Sequence, residues 1–236
     1  MFEVLRSVGD SLYQNIIYDG RYWYYIDGLW VTLRITFGAC VLGIILGLVI
    51  AVIRVWASES KSAALRIANA VCRAYLAVIR GTPVMVQLLI FAFVIFGTSP
   101  LSRIWVAIIA LGINSGAYSS ETIRAGILAV DKGQSEAGRS LGLSMFDTYR
   151  FIILPQAFKN VLPPLGNEVI MLLKETAIVS AVAINDLTRA YSKISNQTYE
   201  FFIPLFTITF IYFIIVMLMT FGLKHLERWL RKSDNR

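Results

Sequence analysis

Residues 136–155 read EAGRSLGLSMFDTYRFIILP, a polar and charged stretch with sharp turn signals, flanked on both sides by long apolar runs. Gln134 to Leu141 has the composition of a short helix, and Gly142, lacking a Cβ, permits the left-handed backbone that stops one. Ser144 followed three residues later by Asp147 is a capping-box signature that starts a second short helix. Pro155 marks the end of that helix or a kink in it. Between charged neighbours stand Leu141, Leu143, Met145, Phe146 and Tyr149, apolar and aromatic anchors of the kind that dock as a knob into a partner's groove. The competing reading is a loop that folds back on its own bundle.

The flanking runs set the fold class. Of 236 residues, 57% are hydrophobic and 16% charged, against about 45–50% and 25% in an ordinary soluble domain. Each apolar run is long enough for a bilayer span, which takes about 20 residues. The expectation is an all-α membrane protein with five transmembrane helices, at about 28–55, 84–97, 104–130, 160–184 and 203–223. Segments 54–80, 131–159 and the tail after Leu223 together carry fourteen Lys and Arg. The alternate segments carry five: Arg6, Arg21, Arg103, Arg189 and Lys193. That asymmetry puts the N-terminus outside and the C-terminus in the cytosol. The division expected is an external segment 1–27, a transmembrane domain 28–224 containing the loop 131–155, and a basic cytosolic tail 225–236. Residues 1–27 hold no early apolar stretch, so no signal peptide is expected to be removed.

Within span 1, Ala39, Gly43, Gly47 and Ala51 recur every fourth residue and make one face small enough for close helix packing. Arg34 lies about two turns inside the same span and can snorkel toward the headgroups. In 62–80, Ser62, Arg66, Asn69, Arg73 and Arg80 share a face, the pattern of a helix lying at the headgroup level. Thr82 is then placed to cap a new helix and Pro83 to occupy its first turn. That next span is only ~21 Å long at 1.5 Å per residue, so the preceding helix must dip into the membrane. Tyr22, Trp23, Tyr24 and Tyr25 read as an interfacial aromatic belt with a binding-partner contact as the alternative, and Trp229 with Arg228, Arg231 and Lys232 as an inner anchor.

Ionisable groups inside spans cost about 2.5–3.5 kcal/mol or more on insertion scales, so each is a functional candidate. Asn114, Tyr118 and Glu121 share one face of span 3, with Arg124 one turn on and able to pair with Glu121. Asn167, Met171 and Lys174 share a face of span 4, flanked by Glu168 and Glu175. A solute bearing both charges would find an acid for its cationic end in Glu121 or Glu168. It also needs donors for its carboxylate, for which helix ends near Pro163 and Pro164 are the candidates. The plainer alternative makes Glu121 with Arg124, and Lys174 with Glu175, structural ion pairs.

Other classes find little support. Cys40 and Cys72 are expected on different levels of the membrane, which argues against a disulfide. His225 stands alone, without the companions a metal site needs. No nucleophile–base pair suggests an enzyme, and the basic charge follows the membrane topology rather than a nucleic-acid patch. The sequence has no GxxxxGK[ST] phosphate loop, so energy has to come from a partner. An ion-coupled carrier using Glu121 and Glu168 as proton sites is the main rival.

The loop also resembles one shared by membrane subunits of ATP-binding-cassette importers: Glu-Ala-Ala, three residues, Gly, nine residues, Ile, one residue, Leu-Pro. Here it stands as Glu136-Ala137-Gly138, Gly142, Ile152 and Leu154-Pro155, with Gly138 the one departure. Arg80-Gly81-Thr82-Pro83 with Gln87, Gly116-Ala117-Tyr118 with Glu121 and Arg124, and Gly133-Gln134 are similar to the polar amino-acid permease family. So are Leu154-Pro155-Gln156-Ala157, Leu162-Pro163-Pro164 with Asn167, and Lys174-Glu175-Thr176. The resemblance covers about residues 20–223. It implies a type-1 permease domain in a bacterial inner membrane, paired with an identical or homologous permease. Two ATP-binding subunits would hold ATP and Mg, an external solute-binding protein would deliver an amino acid, and this chain would carry no cofactor. Glu136, Ala137, Gly138 and Gly142 then join the five anchors as the ATPase-coupling set. Asn114, Tyr118, Glu121, Asn167, Glu168 and Met171 are the substrate-binding candidates.

Overall fold

The small-residue face of the first apolar run sets the centre of the fold. The computed structural model describes residues 6, 9–60 and 62–232, the side chains of 59, 231 and 232 excepted. Residues 1–5, 7 and 8 of the segment expected to be external, Lys61, the side chains of Arg231 and Lys232, and the last four residues of the expected tail lie outside the described residues. Helix α1 is Tyr22–Glu59, α2 is Ala63–Gly81, and α3 is Val84–Ile90, extended by a π-turn Phe91–Ile95. Helix α4 is Arg103–Leu128, α5 Lys132–Ser140, and α6 Met145–Thr148, continued by a π-turn Tyr149–Ile153. Helix α7 is Leu154–Glu175, followed by a 3-10 segment Thr176–Val182; α8 is Leu187–Thr198 and α9 Phe202–Lys232. No strand occurs among the described residues.

Ala39 and Ala51 are fully buried, and between them the two glycines of α1 meet α4 almost backbone to backbone. A Cβ on Gly43 would stand 2.8 Å from Ser115 Oγ, and one on Gly47 would stand 2.7 Å from Ser119 Cβ. The four-residue spacing is thus the α1–α4 seam. Three apolar clusters are built around it. Ile35, Leu88, Leu111, Leu172 and Val179 tie α1, α3, α4, α7 and the 3-10 segment together at one end. Ala51, Val55, Ile123, Ile127, Ile153 and Val161 tie α1, α4 and the start of α7 at the other. Tyr25, Leu187, Ile194 and Ile208 join α1, α8 and α9. Tyr25 is 4% exposed, so it leaves the expected aromatic belt for this third cluster, while Trp23 stays exposed.

Helix lengths depart from expectation in physically readable ways. Among the described residues, Tyr22–Ser58 and Phe202–Leu230 are long and apolar enough to cross a membrane. The pair Ala63–Gly81 and Val84–Ile95, bent by 106°, is a third candidate if it counts as one span. In α4 inward-facing polar residues dilute the hydropathy, with Asn114, Ser115, Ser119 and Ser120 all buried, and in α7 the charged Lys159, Glu168, Lys174 and Glu175, none of them buried, do the same. At the α2–α3 bend Thr82 does not cap and Pro83 precedes the helix rather than opening it. Instead the Gln87 side chain reaches back to the Ile79 carbonyl at 2.7 Å, the Thr82 carbonyl at 3.1 Å and Thr82 Oγ1 at 2.7 Å. An amide with two N–H donors closes an elbow that a hydroxyl alone cannot.

The expected helix ends near Pro163 and Pro164 are absent, because α7 runs through both prolines. No exposed helix-end donors exist there for a carboxylate. The expected span 4 becomes α7 plus the tighter 3-10 segment, which stops at Ala183 in a left-handed conformation, φ 60°. Helix α9 likewise continues past Leu223 and absorbs most of the tail.

Asp186 caps α8. It is 1% exposed and accepts the Thr188 N–H at 3.1 Å and the Arg189 N–H at 3.0 Å. Burial pushes its carboxyl above the usual carboxylate range, and the backbone donors draw it partly back. Asp186→Ala is expected to destabilise the protein by about 1–2 kcal/mol through the lost cap. A lower midpoint of thermal inactivation in detergent reads this out, and Asp186→Asn, which keeps an acceptor, should recover most of it.

Candidate functional site

The loop 131–155 is two short helices crossing at a glycine. The Asp131 side chain caps α5, accepting the Gly133 N–H at 2.6 Å. Gly142 ends it at φ 77°, with Leu143 N–H on the Gly138 carbonyl at 3.1 Å and Gly142 N–H on the Arg139 carbonyl at 3.0 Å, a left-handed helix stop. Ser144 Oγ accepts the Asp147 N–H at 3.1 Å and donates to Asp147 Oδ2 at 2.6 Å. Pro155 does not end the second helix. The π-turn Tyr149–Ile153 carries α6 directly into α7, with Pro155 in the first turn of α7, where a missing N–H costs little.

Gly138, the departure from the resembled pattern, is buried where the two arms cross. A Cβ there would stand 2.8 Å from Thr148 Cγ2 and 3.1 Å from Ile152 Cδ1, so the glycine accommodates a threonine on the opposite arm. The loop therefore has an inner and an outer half. Inside, Thr148 is 1% exposed, and Ile152, Ile153 and half-buried Tyr149 pack on α1 and α4. Outside, Leu141 is 79%, Phe146 66% and Met145 54% exposed, and Leu143, Glu136 and Ala137 are also exposed. Met145, Phe146 and Tyr149 further wall an apolar groove of about 470 Å³ with Trp56, Ser60 and Leu65.

The six substrate-binding candidates of the helices separate into three places. Asn114 is 3% exposed, and its Nδ2 donates to Gln87 Oε1 at 2.9 Å. It therefore locks the α2–α3 elbow to α4. Tyr118 and Glu121 line an open cleft of about 670 Å³ together with Arg54, Arg73 and Arg80. The Arg80 guanidinium sits 5.5 Å from the Tyr118 ring centre, a cation–π distance. The Glu121 carboxylate is held between Arg54 and Arg124, the latter at 3.4 Å. The cleft thus carries more positive than negative charge. Asn167, Glu168 and Met171 lie on α7 and are not among the residues that line that cleft. Asn167 Nδ2 reaches the Pro163 carbonyl at 3.3 Å, Met171 is half exposed, and Glu168 is partly buried.

Sequence reasoning missed Arg54 as the partner of Glu121, and Arg73 and Arg80 as cleft residues. Arg54 reads as one more charge in a basic segment, and its acid lies 67 positions away. Nothing local announces that pairing. Gln87 was visible only as a motif letter, although an amide five residues past a Thr-Pro turn is a recognisable elbow clamp.

The chain matches the family described as the binding-protein-dependent transport system inner membrane component over residues 43–232. It is 39% identical over 214 residues to the arginine transport system permease protein of Bacillus subtilis (strain 168), covering 89% of this chain and 93% of that one. It is 35% identical over 206 residues to the glutamine transport system permease protein of Escherichia coli (strain K12), covering 86% and 91%. Among solved structures, a chain of an amino acid ABC transporter crystallised with histidines superposes with a TM-score of 0.78 at 43% identity, covering 87% of this chain and 93% of that chain. With a helical membrane fold, a family match over most of its length and relatives aligned almost end to end, this chain belongs to the inner-membrane components of binding-protein-dependent transport systems, as a permease subunit.

Proposed function

We propose that the chain forms the translocation pathway of an ATP-driven amino-acid importer and receives its motion through the 131–155 loop. The observation that carries this reading is the outer half of that loop. Leu141, Met145 and Phe146 are largely exposed, on an element whose inner half is fixed to α1 and α4. Large apolar side chains held rigidly in water fit a partner's groove. The amino-acid class is carried over from the arginine and glutamine permeases and the transporter crystallised with histidines.

On this reading the chain crosses the membrane five times, counting α2–α3 as one broken span, with the N-terminus outside and the loop in the cytosol. Two ATP-binding subunits hold ATP and Mg and press on the loops of two permeases, identical or homologous, while an external binding protein presents the substrate. Because Ile153, Ala157 and Val161 share a cluster with Ile123 and Ile127, a push on the loop tilts α4 and α7 together. That motion switches access between the two sides. The substrate passes the half-exposed stripe Asn167, Glu168 and Met171, with Glu168 taking the ammonium, and leaves past Tyr118 and Glu121. Asn114 acts behind them by holding the elbow.

The rival ion-coupled carrier loses one of its two proton sites, since the Glu121 carboxylate is already engaged by two guanidinium groups. Reconstitution tests the proposal. In proteoliposomes with the ATPase and binding protein, uptake is expected to require ATP and to survive an uncoupler. Glu168→Ala should cut it at least about tenfold while unstimulated ATP hydrolysis persists. Uptake that collapses with the uncoupler and continues without ATP rejects the proposal.

A further inference from the structure

Arg34 lies about 18 Å along α1 from Tyr22 at 1.5 Å per residue, within the stretch apolar enough to cross the membrane. Its side chain is exposed. Among the described residues it makes no hydrogen bond, ion pair or ring contact. Two further arginines of α1 and α4, Arg54 and Arg124, share Glu121. A guanidinium at this level without an acid calls for an anion supplied from elsewhere.

Arg34 heads a groove of about 550 Å³ between α1 and α4. On α1 its floor is the stripe Phe37, Val41 and Ile45; on α4 the wall is Trp105 and Ile108. Phe37, Val41, Ile45 and Trp105 are 42–72% exposed. The hydroxyl-bearing Ser102 also lines the groove, and its side chain makes no capping hydrogen bond to α4. One end is therefore cationic and polar, and the rest apolar and elongated along the helix axes. No acidic side chain lines it.

We propose that this groove is a binding site for a net-anionic phospholipid. The lipid phosphate meets the Arg34 guanidinium, a charge-assisted contact, and one acyl chain lies along Phe37, Val41 and Ile45. The leaflet is the one on the side of the α3–α4 turn. The occupant is a lipid rather than a protein face because the groove couples one unpaired cation to a long apolar trough. That is the charge layout of a phospholipid, and the apolar residues Phe37, Val41 and Ile45 of the trough are exposed in this chain.

The test uses the assembled transporter, purified with its ATPase subunits in mild detergent and stripped of lipid. It is titrated with phosphatidylglycerol or phosphatidylcholine, and the retained lipid per permease is counted by native mass spectrometry. Phosphatidylglycerol is expected to be retained at least tenfold more tightly than phosphatidylcholine. Arg34→Gln should lose at least tenfold of that retention and Arg34→Lys less than threefold. Ile45→Trp, which fills the trough and leaves the charge, should also weaken it and serves if the arginine variant does not accumulate. Equal retention of the two lipids, or unchanged retention in Arg34→Gln and Ile45→Trp, overturns the site. Efficient disulfide crosslinking between two copies carrying Phe37→Cys also overturns it, by showing that a second permease covers the groove.

Discussion

Replacing Met145 and Phe146 together by aspartate is expected to abolish energised uptake while leaving the permease folded and inserted. Both side chains are more than half exposed, so the native fold loses little by their removal. The aspartates fall in the first turn of a short helix that already begins with a Ser144–Asp147 cap, where acidic residues are tolerated. In a complex the same two positions would sit desolvated in a groove, where an apolar anchor is worth about 2 kcal/mol or more. Two such losses, with the added cost of burying carboxylates, correspond to at least about a hundredfold weaker assembly at 1.4 kcal/mol per tenfold. Copurification with the ATPase subunit and ATP-dependent uptake in proteoliposomes both read this out. Wild-type uptake by the double variant would remove the loop from the energy pathway.

The second large effect concerns Glu121. Glu121→Leu leaves Arg54 and Arg124 facing one another with no carboxylate between them. Arg54 and Glu121 retain 15% and 27% side-chain exposure, so the loss falls toward the low end of the 3–5 kcal/mol seen when one member of a buried pair is removed, about 3 kcal/mol. The expected signature is a lowered midpoint of thermal inactivation in detergent, partly restored in Arg54→Leu with Glu121→Leu. A Glu121 that served only to bind substrate would behave otherwise. Its removal would spare the midpoint and depress uptake, and the second substitution would restore nothing.

The parts of this architecture written in local patterns were readable in advance. The four-residue spacing of Ala39, Gly43, Gly47 and Ala51 announced a tightly packing face, though not that α4 would meet it, because helix period and side-chain size alone decide such a face. Gly142 and the Ser144–Asp147 pair announced the two loop helices for the same reason. What stayed hidden depended on partners far apart in sequence. The Arg54–Glu121 pair, the Asn114–Gln87 bond and the burial of Gly138 against Thr148 exist only once the helices pack. Pro155 and the Pro163–Pro164 pair misled in the opposite direction. A π-turn and tertiary packing let a helix continue where propensity alone stops it.

The elbow joined through Gln87 bears on how the nascent polypeptide enters the membrane. Helix α3 with its π-turn is far too short to leave the translocation machinery as an independent hydrophobic unit. Its side-chain bond to α4 runs to the amide of Asn114, synthesised almost thirty positions later. Stable insertion of this elbow is therefore expected to couple to the synthesis of α4.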